Sequence, residues 1–153
     1  MQREIKFRGK RVDNGEWVYG YYFISERDIE DGFVWRDIPQ IQQRYGDHYQ
    51  YFDVIPETIG QFTGLKDKNG REIYEGDIVK SIKRGFAFHQ SVVVYNSGKG
   101  RYDVKAMGCL FPMTLDRCGD DIDISGSDYE VIGNIHDNPE LLEVGHAGNP
   151  KET

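Results

Sequence analysis

The chain has 153 residues, enough for one domain or for one domain with a small appended lobe. A formal net charge of −7 disfavours non-specific attraction to a nucleic-acid backbone, and no stretch is long and apolar enough to cross a membrane as a helix. Eighteen glycines against five prolines, with 13% aromatic residues, point to short strands joined by turns.

The opening residues, MQREIKFRGK, lack the apolar core of a secretory signal, so an intracellular protein is expected. Ile5, Phe7 and Gly9 alternate with Lys6, Arg8 and Lys10, which reads as a half-buried strand with a basic outer face. Asn14-Gly15 suits a tight hairpin turn, and Trp17 to Ile24 forms the returning strand, with Trp17, Tyr19, Tyr21 and Phe23 on one face. Gly20, inside that strand, suggests a bulge or a close approach by another backbone. Residues 25–31 read as a polar connection, and Gly32 to Arg36 as a short strand. Asp37 to Phe52 has no clean period and is broken at Gly46-Asp47, so it reads as strand, turn, strand.

The stretch GLKDKNGREIYEGDIVKS, Gly64 to Ser81, is rich in glycine and charge. It lacks the spacing of a phosphate-binding GxxxxGK[ST] or GxGxxG loop, and its acids do not follow the calcium-loop order. Two turns are expected instead, one at Lys68-Asn69-Gly70 and one at Glu75-Gly76-Asp77, the second with Gly76 at positive φ. Strands follow at Ile78 to Ile82, Ser91 to Asn96 and Arg101 to Met107, then a long loop over 108–127. Tyr129 to Ile135 is the last strand, and Asn138-Pro139 opens a short helix that Asn138 can cap. The expected fold is therefore mainly β: a small, partly closed β-barrel with an additional N-terminal hairpin or sheet and one short C-terminal helix. The expected divisions are 1–55, 56–143 and a flexible tail over 144–153.

Three blocks carry a family resemblance. REIKFRGKRVDNGEWVYGYY (Arg3 to Tyr22), IPETIGQFTGLKDKNGREIYEGDIVK (Ile55 to Lys80) and YEVIGNIHDNPELL (Tyr129 to Leu142) together resemble the YopX family. The resemblance implies an SH3-like barrel encoded by a phage or prophage and working in the bacterial cytoplasm. It implies no catalytic residue, and segments 25–52 and 81–127 match no family pattern.

Candidate chemistry is sparse. His48, His89, His136 and His146 are scattered, without HxxxH or CxxC spacing, so no metal or cofactor is expected. Asp120, Asp121 and Asp123 read as a solvated loop tip, and Cys109 and Cys118 as free thiols in a reducing compartment. Arg117 beside Cys118 and the pair Ser125, Ser127 do not build a nucleophile–base arrangement. Tyr45, Tyr49, Tyr51 and Phe52 lie close in sequence to Arg44 and His48. Basic groups with exposed aromatics are what single-strand nucleic-acid binding uses, which makes Lys6, Arg8 and Lys10 candidate contacts. The leading expectation is nevertheless a non-catalytic module that binds a host or phage protein, with nucleic-acid binding as the alternative and an enzyme with an unrecognised site as the third. The basic N-terminus and the acidic stretch from Asp116 onward, together with open strand edges, also suggest a homo-oligomer.

Overall fold

A computed structural model describes residues 3–32, 35–82, 90–106, 113–114 and 128–146. It is mainly β, built of two antiparallel sheets, and the chain divides into two compact units, Met1–Phe62 and Thr63–Thr153.

In the first unit β1 (Phe7–Lys10) pairs with β2 (Trp17–Asp28) around the Asn14-Gly15 turn, where Gly15 has φ +73°. β2 pairs with β3 (Trp35–Tyr45), and β3 with β4 (His48–Asp53) across the Gly46-Asp47 turn. The other side of β1 takes the start of β5 (Gly60–Lys66), which enters after a single 3-10 turn at Pro56–Thr58. β2 continues through residues read as a polar connection: Ser25 to Asp28 stay in register with Trp35 to Ile38. Backbone pairing sustains a ribbon there whose side chains are mostly exposed, with Arg27 anchored on Asp53.

Because neighbouring residues of a strand point to opposite faces, the register sorts the first unit cleanly. One face carries Phe7, Val18, Tyr22, Ile41, Phe52, Val54 and Ile59, which pack into a core centred on Val18, Ile41 and Val54. Arg11 lies over the Phe52 ring at 4.4 Å and is held there by Asp13. The opposite face carries the candidate site. At Gly20 the β3 backbone leaves no room for a side chain: a β-carbon there would sit 2.0 Å from the Gln42 carbonyl oxygen. The close backbone approach expected at Gly20 is what the sheet contains.

The second unit takes the end of β5, which pairs with β6 (Glu72–Tyr74), and a five-stranded sheet in the order β10-β9-β8-β7-β11. Its strands are β7 (Asp77–Ser81), β8 (Gln90–Asn96), β9 (Arg101–Ala106), β10 (Met113–Thr114) and β11 (Tyr129–Asn134). Ile73, Val79, Val93, Val104, Tyr129 and Val131 form the core, with Leu65 and Tyr102 against it. Buried Asp103 is satisfied by Asn96 Nδ2 at 2.8 Å and Arg101 Nε at 2.9 Å, which join β8 to β9 beside their connecting turn. The Lys68-Asn69-Gly70 turn folds over the Asp67 carboxylate, and Gly76 takes φ +89° as expected.

Further expectations change. Neither sheet is closed into a barrel among the described residues: the strand orders are linear, and β4, β6, β10 and β11 remain at edges. The C-terminal helix is a run of 3-10 turns over Pro139–His146, marked by the Leu141 N–H donating to the Asn138 carbonyl. The Asn138 side chain caps nothing in that run; its Oδ1 accepts the Asn134 N–H at 3.3 Å, back towards β11. Within the expected 108–127 loop, Met113–Thr114 pairs with Val104 and Asp103, and the rest, like the 147–153 part of the tail, lies outside the described residues.

Candidate functional site

The side of the first unit's sheet that faces away from its core gathers residues from all five of its strands. Cross-strand register sets Arg8 opposite Tyr19, Lys10 opposite Trp17, Tyr21 opposite Gln42, and Gln42 opposite Tyr51. Period-two alternation then adds Lys6, Phe23, Gln40, Arg44, Tyr49 and Asp53 to the same face.

At the β1 end, cations lie on rings. The Arg8 guanidinium sits 4.6 Å from the Trp17 ring centroid, Lys10 Nζ 5.6 Å from the same ring, and Lys6 Nζ 5.5 Å from Phe62. Lys6 also pairs with Glu4 at 3.3 Å. The expected basic face therefore exists as a face but is not an exposed one: Arg8 is only 6% exposed. A planar guanidinium covers an indole well and loses less hydration on burial than an ammonium does, which is why Arg8 can lie so deep.

Moving outward to β4, the face becomes aromatic and open. Tyr19, Tyr21, Tyr49 and Tyr51 are all exposed, Tyr21 by 62% and Tyr51 by 54%. Gln42 Nε2 donates to the Tyr51 hydroxyl at 3.0 Å, and the Tyr51 ring meets Phe23 edge-on, with centroids 5.6 Å apart. These contacts fix the Tyr51 side chain while it stays more than half exposed. Arg44 Nε donates to the Gly46 carbonyl at 2.9 Å, fixing one cation at the hairpin tip.

The face is bordered by an ion pair. Arg27 makes two hydrogen bonds to Asp53, at 2.9 and 3.0 Å, and Gln40 Nε2 adds a third at 2.6 Å. The Arg27 bonds hold the Asp53 carboxyl below its ordinary range, against the opposing effect of burial and with help from Gln40. Such a surface offers flat apolar rings tipped with phenol and amide groups, suited to packing and hydrogen bonding against another macromolecule.

The structure divides the aromatics that sequence proximity grouped together. Tyr49, Tyr51 and Arg44 join the face, whereas Tyr45, His48 and Phe52 point to the other side. Strand alternation separates them, and it also marks Gln40 and Gln42, which the sequence reading passed over. The Arg27–Asp53 clamp had no local signal. His48 is exposed and His136 half-buried; His89 and the side chain of His146 lie outside the described residues, as do Cys109, Arg117, Cys118, Asp120, Asp121, Asp123, Ser125 and Ser127. Among the described residues no group of three or more His, Cys, Asp or Glu is placed to hold a metal ion, and no helix is long and apolar enough to cross a membrane.

Among solved structures the chain is similar to protein EF1440 from Enterococcus faecalis, with 26% identity over 92% of this chain and 99% of that one and a TM-score of 0.49. No curated protein matches it significantly. The model of the YopX protein family matches residues 6–143, nearly the whole length, so the chain belongs to the YopX family.

Proposed function

We propose that this protein is a phage- or prophage-encoded accessory factor that acts in the bacterial cytoplasm by binding another protein, without catalysis. The observation that carries this reading is the exposed tyrosine face of β2, β3 and β4, with Tyr19, Tyr21, Tyr49 and Tyr51 in solvent. Tyrosine combines a large rigid ring with a hydrogen-bonding tip and loses little conformational entropy on contact, which is why it is enriched where proteins meet. Part of the face lies within segment 25–52, outside the resembling blocks, where members of a family would differ in partner. The finer description of the second unit as an SH3-like sheet belongs to the same proposal and rests on its short strands and glycine turns.

Nucleic-acid binding is the second reading, favoured by Arg44 beside Tyr49 and Tyr51. The overall charge of −7 and the engagement of Lys6, Arg8 and Lys10 with aromatic rings weigh against it. The test is affinity capture from host lysate with wild type and with a Tyr21→Ala, Tyr49→Ala double variant of unchanged melting behaviour. A protein recovered by wild type and lost by the variant supports the proposal. Equal recovery by both, or recovery of nucleic acid alone with a steep salt dependence, overturns it.

A further inference from the structure

β4 is the edge of its sheet, and its register with β3 shows which backbone groups face outward. Val54 N–H donates to the Pro39 carbonyl at 3.1 Å, so Val54 faces inward. Alternation then turns Phe52 and Gln50 inward as well, opposite Ile41 and Gln43, and leaves the N–H and C=O of Tyr49, Tyr51 and Asp53 pointing away from β3. The Asp53 carbonyl is taken by the Val12 N–H at 2.9 Å. Among the described residues, the outward groups of Tyr49 and Tyr51 have no such strand beside them.

Native edge strands are usually blunted by Lys, Pro, a bulge or an inward charge. His48-Tyr49-Gln50-Tyr51-Phe52 has no Lys, Arg, Asp, Glu or Pro, and its pairing with β3 is unbroken from His48 to Asp53. It is also self-complementary. When two copies run antiparallel about a two-fold axis through Gln50, Tyr49 of each meets Tyr51 of the other, and all four residues are of the outward type. Each Tyr49–Tyr51 couple exchanges both backbone bonds. His48 falls opposite Phe52, and no like charges meet within the strand.

We infer that β4 pairs with β4 of a second copy in this register, joining two sheets into one and uniting their tyrosine faces. The inference stands on backbone geometry and does not depend on what the tyrosine face binds. One short strand pair buries less than a standard interface of about 1,600 Å², so the dimer is weak and concentration-dependent. Two copies of charge −7 repel, and salt screens that repulsion, so salt strengthens the dimer.

Gln50 supplies the test, because the axis sets it opposite itself as a non-hydrogen-bonded pair with Cα atoms about 4.5 Å apart. It is exposed, so a charge there leaves the monomer folded. Sedimentation equilibrium from micromolar to millimolar protein in moderate salt is expected to show a dimer for wild type and a monomer for Gln50→Lys and for Gln50→Glu. An equimolar mixture of the two variants regains the dimer mass. Tyr49→Pro, which removes an outward N–H and no bond to β3, is monomeric with a wild-type thermal melt. A wild type that stays monomeric throughout, or a Gln50→Lys protein that dimerises like wild type, overturns the inference.

Discussion

The Asp67 carboxylate accepts the backbone N–H of Val131 at 3.0 Å, across a sequence separation of 64 residues. Its other oxygen accepts the N–H groups of Asn69 and Arg71, at 2.8 and 2.9 Å, so one buried side chain both shapes the β5–β6 turn and ties it to β11. Removing it leaves the buried Val131 amide, and the part-buried amides of Asn69 and Arg71, without this acceptor, the costly half of hydrogen-bond energetics. Asp67→Ala should therefore lose about 3 kcal/mol of stability. Asp67→Asn should fall between Ala and wild type, because an amide offers one acceptor oxygen where the carboxylate offers two. Urea denaturation of the three proteins measures the order.

The same group makes the fold acid-sensitive. Burial pushes the Asp67 carboxyl upward, but the amides of Val131, Arg71 and Asn69, with the Arg71 charge, outweigh it and hold it below its ordinary 3.8. A carboxyl depressed in the folded state contributes stability that is complete above its unfolded value and is lost as pH falls through the folded one. Asp53, depressed mainly by its Arg27 bonds, adds to the loss with the same sign. Urea midpoints should thus be level at neutral pH and drop as pH falls below about 4. Asp67→Asn should flatten part of that drop; an equally steep fall in the variant would assign the acid sensitivity elsewhere.

Gly76 separates strain from crowding. Its φ is +89°, yet a β-carbon there would meet nothing closer than 3.7 Å, so the cost of a side chain is conformational alone. Its N–H donates to the Val93 carbonyl and its own carbonyl accepts the Ile135 N–H, which keeps the backbone from relaxing. Gly76→Ala should cost about 1 kcal/mol. A ligand-gripping loop would show the reverse in urea melts: stability indifferent to the substitution at Gly76, with a binding activity sensitive to Glu75.

Elements whose signal is local were legible before the structure. The Asn14-Gly15 hairpin, the Gly76 turn and the strand at Ser91 to Asn96 each follow from a few adjacent residues. What sequence alone missed depends on partners far along the chain. The polar stretch Ser25 to Asp28 is strand only because Trp35 to Ile38 lies beside it, and Arg8 is buried only because Trp17 and its surroundings receive it. The short C-terminal segment shows the same limit: Asn138 has two available uses, and the one realised bonds Asn134. For the tyrosine face, alternation indicated Tyr19 with Tyr21 and Tyr49 with Tyr51, but only the β2–β3–β4 register joins the two pairs.

Gly9 and Gly20 both lie on the first sheet, and the same methyl group should have very different effects at each. At Gly9 a β-carbon would meet the Val54 side chain at 3.1 to 3.3 Å, and a side chain can shift by a few tenths of an ångström. Gly9→Ala should cost about 1 kcal/mol. At Gly20 the obstacle is backbone: the Gln42 carbonyl oxygen at 2.0 Å, its carbon at 2.9 Å and the Gln43 Cα at 3.3 Å. No rotamer change relieves that overlap, so β2 and β3 must separate where Tyr21 pairs with Gln42. Gly20→Ala should cost about 3 kcal/mol and also disturb the tyrosine face, since Gln42 carries the bond to Tyr51. Urea melts give the first quantity, and near-ultraviolet circular dichroism of the tyrosines reads the second. If Gly20→Ala proves as stable as Gly9→Ala, with an unchanged aromatic spectrum, β2 and β3 do not approach each other as closely as the Gly20–Gln42 geometry requires.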